Sequence, residues 1–274
     1  MSTSPKQIAR ENEHIAEVGH YLAADGTAVD ISAALAAARA GTVSYTPKDT
    51  VDGAARGPFT GVLEVTGEGS VQAARRLHAD GGTAIAVLNF ASARNPGGGY
   101  LRGARAQEED LCRSALLYTC LLEAPDYYAA HRASDDLRYS HRVIYSPDVP
   151  VVREDDGTFS TRPFPASFLT SPAPNAGALT DRSQRDVPVR DVLIERADRV
   201  LAVAAHHGVR ELVLGAWGCG VFRNDPAEVA EAFELALRNR GAAFDRVVFA
   251  IWDRSPVSAN RSAFRARFGV AASS

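Results

Sequence analysis

An apolar run, three consecutive glycines and a pair of glutamates follow one another between residues 83 and 123, and few folds accommodate that order. The run Thr83 to Phe90 (TAIAVLNF) is too short for an ordinary helix and reads as a buried strand. It leads into Asn95-Pro96-Gly97-Gly98-Gly99, seven further residues, and then Gln107-Glu108-Glu109. Consecutive glycines cost backbone entropy and bury no side chain, so they belong where the chain needs special dihedrals or where a ligand approaches its N–H groups. Beyond them Leu111, Ala115, Tyr118 and Leu122 recur at helical spacing, which predicts a helix of about four turns from Gln107 to Glu123, ended by Pro125. A strand, a glycine loop and a helix N-terminus in sequence make an anion site, because free N–H groups and the positive end of the helix dipole converge there.

A chain of 274 residues with 46% apolar and 23% charged residues can bury one substantial core, and a single large α/β domain is the first expectation. The net charge of −3 supplies no field for a nucleic-acid backbone, so no direct DNA binding is expected and an anionic ligand must be recognised locally. No apolar stretch reaches the ~18 residues of a membrane span, and MSTSPKQIARENEH lacks the apolar core of a signal peptide, which points to a cytoplasmic protein. Cys112, Cys120 and Cys219 form no CxxC pair, and none of the seven histidines has ligand spacing. Neither a metal site nor a cofactor is expected.

Residues 1–55 read as an accessory segment. Ser4-Pro5-Lys6-Gln7 combines a cap, a proline at the first helical position and a capping-box glutamine, predicting a helix from Pro5 to His20. Asp25-Gly26 signals a hairpin turn, and Ile31 to Arg39, between Asp30 and Gly41, a second short helix. Over residues 56–274 the pattern alternates. Strands are expected at Thr60–Val65, Ala84–Asn89, Arg142–Tyr145, Ser167–Thr170, Glu211–Leu214 and Arg246–Trp252. Helices are expected at Ser70–Asp80, Gln107–Glu123, Val187–His207 and Pro226–Arg240. The alternation argues for a three-layer α/β/α domain with a mixed sheet, whose ligands bind beyond the carboxyl ends of the strands.

A second glycine loop leaves a second strand in the same relation. Leu212-Val213-Leu214 runs into Gly215-Ala216-Trp217-Gly218-Cys219-Gly220-Val221-Phe222-Arg223-Asn224-Asp225, and Pro226 opens the next helix. The glycine order is GxxGxG rather than the dinucleotide fingerprint GxGxxG, and the chain contains neither GxxxxGK nor GxSxG. Two glycine loops can face each other across one ligand.

The GGG, seven residues, QEE arrangement together with LGAWGCGVFRND resembles the bacterial-type poly(ADP-ribose) glycohydrolases, over most of the chain from about residue 59 to 252. The N-terminal helix and the DG turn resemble that family's accessory segment as well. The resemblance implies a macrodomain fold and hydrolysis of the ribose–ribose O-glycosidic bonds of poly(ADP-ribose) or of ADP-ribosylated proteins, from the chain terminus, with ADP-ribose as product. It also implies that Glu109 is the general acid and that Glu108 holds ribose hydroxyls. Gln107, Gly97, Gly98, Gly99 and Asn95 would border the distal ribose, while Gly218, Cys219, Gly220 and Val221 would receive the diphosphate and Phe222 would support the ribose. The segment Pro172-Ala173-Pro174-Asn175 is placed near the ligand by the same resemblance.

Glycoside cleavage passes through an oxocarbenium-like state, and its leaving oxygen takes a proton from a positioned acid. Adjacent residues on a helix point about 100° apart, so Glu108 and Glu109 cannot flank one bond as an acid and nucleophile pair does. One acid is therefore expected, with ligand diphosphate and glycine loop supporting the cation and the water; activity should fall at high pH as Glu109 ionises in the complex.

Duller readings compete at each position. Glutamates in a first helical turn suit the dipole whatever their function; Trp217 and Phe222 can be core, and Arg94, Arg102 and Arg105 can be solvated loop residues rather than phosphate contacts. The rival functions are a macrodomain that reads ADP-ribose without cleaving it and a hydrolase of mono-ADP-ribosyl groups. The intact QEE favours the glycohydrolase, because a reader has no use for a positioned acid.

Overall fold

The computed structural model describes residues 3–51, 56–181, 188–255 and 257–269. The chain begins with helix α1 (Pro5–Val18), capped by the Ser4 hydroxyl on Gln7 N–H and ended by left-handed Gly19. A hairpin of β1 (His20–Leu22) and β2 (Ala28–Asp30) turns at Asp25-Gly26, and α2 (Ser32–Ala40) follows, with the Asp30 carboxylate accepting from Ser32 N–H. Strand β3 (Val43–Tyr45) then pairs antiparallel with β6 (Val143–Arg153), so residues 43–45 form an edge of the main sheet.

The remaining elements are β4 (Val62–Thr66), α3 (Ser70–Ala79), β5 (Ile85–Phe90), α4 (Gln107–Ser114), α5 (Leu117–Leu121), α6 (Pro125–Arg132), β6, β7 (Phe159–Ser171), α7 (Ala176–Asp181), α8 (Val189–His206), β8 (Glu211–Leu214), α9 (Pro226–Arg240), β9 (Arg246–Ala250) and α10 (Ala259–Phe268). The main sheet has seven strands in the order β3-β6-β7-β5-β8-β9-β4. The pairs β3/β6 and β6/β7 are antiparallel and the rest parallel, giving the mixed sheet expected.

Strand periodicity assigns the two faces. Ile85 and Val87, Val213, and Val248 and Ala250 join one core beneath α1 to α6. Their alternates Ala86 and Leu88, Leu212 and Leu214, and Val247 and Phe249 join a second core with α8, α9 and α10. A sheet apolar on both faces must be covered on both, which is the physical basis of the three layers.

Two expectations fail locally. The continuous helix from Gln107 to Glu123 is interrupted at Ala115, whose backbone is extended (φ −121°, ψ 160°) and bridges to Val151 of β6. Cys112 and Cys120 consequently sit on separate helices, and Pro125 opens α6 at its first position instead of merely ending a helix. Strands β6 and β7 run well past the short segments expected, carrying Pro147, Pro150, Pro163 and Pro165 within them. Proline forfeits a ladder hydrogen bond, and the pairing accommodates the loss through register shifts between Ser146 and Val149 and between Val151 and Arg153.

Candidate active site at the paired glycine loops

Strands β5 and β8 are parallel neighbours, with Ile85 opposite Glu211 and Val87 opposite Val213. Their loops therefore leave the same edge of the sheet side by side, and a β-carbon on Gly215 would stand 3.0 Å from Phe90 Cζ.

The first loop closes through Gly98 N–H to Asn95 O (3.0 Å) and Tyr100 N–H to Gly97 O (3.0 Å), then passes through a short 3-10 turn over Tyr100–Arg102. Gly98 has φ +57°, and a β-carbon there would meet Glu109 Oε1 at 2.5 Å and Glu108 Oε2 at 3.0 Å. Glycine is thus required on both dihedral and steric grounds where the loop touches the acids. Asn95 is exposed, and with Gly98, Gly99, Arg102 and Tyr118 it lines a cavity of about 190 Å³. A larger cleft of about 320 Å³ beside Arg39 and Glu123 is lined by residues of neither loop. Arg94 donates from Nη2 to Ser134 O (2.9 Å), which anchors the loop's approach.

Helix α4 opens on the triplet, and its three side chains are held by three different sets of partners. Gln107 accepts from Phe90 N–H (2.9 Å) and donates to Leu88 O (2.8 Å) and Ser70 Oγ (3.1 Å), so both ends of its amide are taken by the protein and fasten α4 to the end of β5. Glu108 is buried and accepts from Ser92 N–H (2.7 Å) and Asn89 Nδ2 (3.3 Å). Burial pushes its carboxyl up to about 8, against the pull of the Ser92 and Asn89 hydrogen bonds, with the charge of Glu109 a smaller contribution in the same upward direction. Glu109, also buried, accepts from Gly99 N–H at Oε1 (2.7 Å) and from Ala106 N–H at Oε2 (2.9 Å). The two carboxyls are held by different donors, Glu108 at the end of β5 and Glu109 in the glycine loop, yet a β-carbon on Gly98 would lie 2.5 Å from Glu109 Oε1 and 3.0 Å from Glu108 Oε2, so the divergence expected from helix geometry does not keep them apart.

In the second loop Trp217 takes the core reading. It is buried and donates from Nε1 to Ser171 O (3.1 Å) at the end of β7. Gly218 has φ +72°, and a β-carbon would lie 2.3 Å from Asn224 Nδ2 and 2.6 Å from Ala173 Cβ, which puts the Pro172–Asn175 segment at the border of this loop. Burial pushes the Cys219 thiol up to about 12, far from the range of a nucleophilic thiolate. Gly220 and Val221 are exposed; Phe222 O accepts from Gly177 N–H (2.9 Å), and its ring centroid lies 6.1 Å from that of Tyr139. Among the described residues no group of three or more His, Cys, Asp or Glu side chains is placed to hold a metal ion.

Sequence reasoning missed three supports of the site. Asn89 and the Ser92 amide, which hold Glu108, carry no motif of their own. Asn224, a buried amide whose side chain has no hydrogen-bond partner among the described residues and lies against Gly218, stood inside the second motif but reads there only as a residue before the Asp225 cap.

A family model described as the microbial-type PARG catalytic domain, PARG being poly(ADP-ribose) glycohydrolase, matches residues 9–154, more than half of the chain. The chain belongs to the microbial-type poly(ADP-ribose) glycohydrolases. Among solved glycohydrolases, that of Thermomonospora curvata is 47% identical with a TM-score of 0.90, covering 96% of this chain and 99% of its own. The same enzyme bound to the inhibitor ADP-HPD superposes with a TM-score of 0.89. A Deinococcus radiodurans glycohydrolase in complex with ADP-ribose is 46% identical with a TM-score of 0.79, over 85% of this chain and 96% of its own. No curated protein matches the chain. The fold shared with these glycohydrolases is macrodomain-like, and membership of the family makes the chain a hydrolase.

Proposed function

We propose that this poly(ADP-ribose) glycohydrolase binds the terminal ADP-ribose unit of its polymer between the two glycine loops and uses Glu109 as general acid to release ADP-ribose. The observation that carries the reading is the Glu109 carboxyl, buried at the N-terminus of α4 and bonded to Gly99 N–H in the glycine loop. Its two oxygens join that loop, the surface on which a ribose would rest, to the first turn of α4. Glu108, held by Ser92 and Asn89, orients the ribose. Gly97, Gly98, Gly99 and Asn95 border the ribose, and Gly218, Cys219, Gly220 and Val221 offer backbone N–H groups to the diphosphate, with Phe222 behind them. Gln107 contributes by fixing the helix to the strand.

Proton donation by Glu109 breaks the C–O bond as the ribosyl cation develops; the proton goes to the departing hydroxyl of the next unit, and water adds to the cation, its proton returning to the Glu109 carboxylate. The test compares wild type and Glu109→Gln on auto-modified poly(ADP-ribosyl) polymerase, following released ADP-ribose and ADP-ribose binding. The expected result is a loss of release on the order of 10² to 10⁴-fold with binding retained. Release at the wild-type rate by the variant would overturn the assignment.

A cytoplasmic location and residues 1–55 as an accessory to 56–274 belong to the same reading, the accessory segment being joined to the larger part through Asn12 on α4 and through β3 on β6. Among the described residues no helix is long and apolar enough to cross a membrane. The net charge of −3 supports a role without direct DNA binding.

A further inference from the structure

The break in the catalytic helix leaves carbonyl groups that the chain must satisfy from elsewhere. Within a continuous helix Cys112 O would accept from Leu116 N–H, but Leu116 donates instead to Pro150 O of β6 (3.1 Å). The side chain that fills the gap lies a hundred residues away in sequence. Asn12 of α1, fully buried, donates from Nδ2 to Cys112 O (3.1 Å) and Arg113 O (2.9 Å). Its own Oδ1 accepts from Arg153 Nε at the end of β6 (2.8 Å). Arg153 is held in turn by Glu11 (2.8 Å) and by Gly157 O (2.7 Å).

The same helix holds the glycine loop. Tyr100, which follows Gly99, is buried and donates from its hydroxyl toward Glu13 Oε1 (3.3 Å), with Ala9 O at 3.4 Å. At the far end of that loop a β-carbon on Gly103 would stand 2.9 Å from Lys6 Cγ and 3.6 Å from Pro5 Cβ, so the first turn of α1 is seated against it. One helix thus touches both parts that the Glu109 carboxyl joins: the loop, through Gly99 N–H, and its own helix, through Ala106 N–H.

We infer that α1 is a component of the catalytic apparatus, and that Asn12 is the positioning residue that holds α4, and with it Glu109, in register with the glycine loop. This rests on the reading of Glu109 as the acid. An error of about 1 Å in the placing of a catalytic group costs on the order of 10²-fold in rate, so a helix fastened at its C-terminal end from another segment matters to turnover more than to ligand affinity, which the second glycine loop shares.

The test uses the full chain with Asn12→Asp, which keeps the acceptor for Arg153 and loses both donors, and Asn12→Leu, which loses all three bonds. Turnover on poly(ADP-ribose), the Kd for ADP-ribose, and amide hydrogen exchange at Gly99 and Ala106 are measured well below each variant's Tm, with rates referred to folded protein. The expected result for both is a fall in kcat of about 10 to 100-fold, a Kd within about threefold of wild type, and faster exchange at the two N–H groups that Glu109 holds. A wild-type kcat per folded molecule with unchanged exchange would overturn the inference, as would a loss of affinity equal to the loss of rate. Glu109→Gln assayed alongside separates the two claims: if it retains turnover, the acid assignment has failed, whereas an inactive Glu109→Gln beside a fully active Asn12→Asp removes only the role of Asn12.

Discussion

Gly98 and Glu109 are fitted so closely that a β-carbon on Gly98 would stand 2.5 Å from Glu109 Oε1. The glycine loop and the carboxyl it supports are one packed unit, and replacement of either displaces the other.

Gly98→Ala carries two penalties. A non-glycine residue at φ +57° costs about 1–2 kcal/mol of backbone strain, and the new methyl group pushes Glu109 away from Gly99. Turnover on poly(ADP-ribose) is expected to fall on the order of 10²-fold, with Tm lowered as well. A variant with wild-type kcat would show that the carboxyl's position against the loop is not needed.

Gly218 and Gly220 separate packing from ligand approach. At Gly218 a β-carbon would collide with Asn224 and Ala173, so Gly218→Ala should destabilise the unliganded protein in denaturant titration. At Gly220 a β-carbon would meet nothing within 4 Å, so Gly220→Ala should unfold like wild type. A drop in ADP-ribose affinity measured calorimetrically for Gly220→Ala then reports the ligand's own approach to the loop. Wild-type affinity would remove Gly220 from the diphosphate site.

Gln107→Leu removes the acceptor for Phe90 N–H and the donor to Leu88 O while keeping the side-chain volume. Leaving buried partners unsatisfied costs about 1–3 kcal/mol, to be read from equilibrium unfolding. Unchanged stability would mean that α4 is held to β5 by packing alone.

Glu108 makes stability depend on pH in the direction opposite to an ion-paired carboxylate. Its folded-state value is raised from the ordinary 4.5 to about 8 by burial, so its contribution is fully present below about 4.5 and is lost as pH rises through about 8. Glu13, raised to about 7 by burial, acts the same way over a narrower window. Between pH 5 and 9 the Tm of wild type should fall, and that of Glu108→Gln should fall less. Parallel Tm profiles for the two proteins would show that Glu108 is not held neutral by its surroundings.

What could be read from the chain was local in origin. The order of strand, glycines and QEE, the cap at Ser4-Pro5, the turn at Asp25-Gly26 and the helix opened by Pro226 depend on neighbours a few residues apart, and all four lie where their residue types require. The successive positions of Glu108 and Glu109 in the first turn of α4 follow from the same short-range geometry, but the approach of both carboxyls to Gly98 does not. The alternation of Ile85 and Val87 with Ala86 and Leu88 likewise required two covering layers before their helices were known.

Tertiary structure decided the rest wherever the partner is remote in sequence. The interruption at Ala115 of the helix expected over Gln107–Glu123 depends on Val151, and its capping on Asn12; nothing in the helical spacing of Leu111, Tyr118 and Leu122 records either. The prolines of β6 and β7 argue against strands until each strand has the other to pair with. The two glycine loops stand side by side because β8 joins β5 in the sheet, a pairing of segments more than a hundred residues apart. Local propensity chooses among conformations of a segment; only long-range packing and hydrogen bonding place Gly99 beneath Glu109 and α1 behind both.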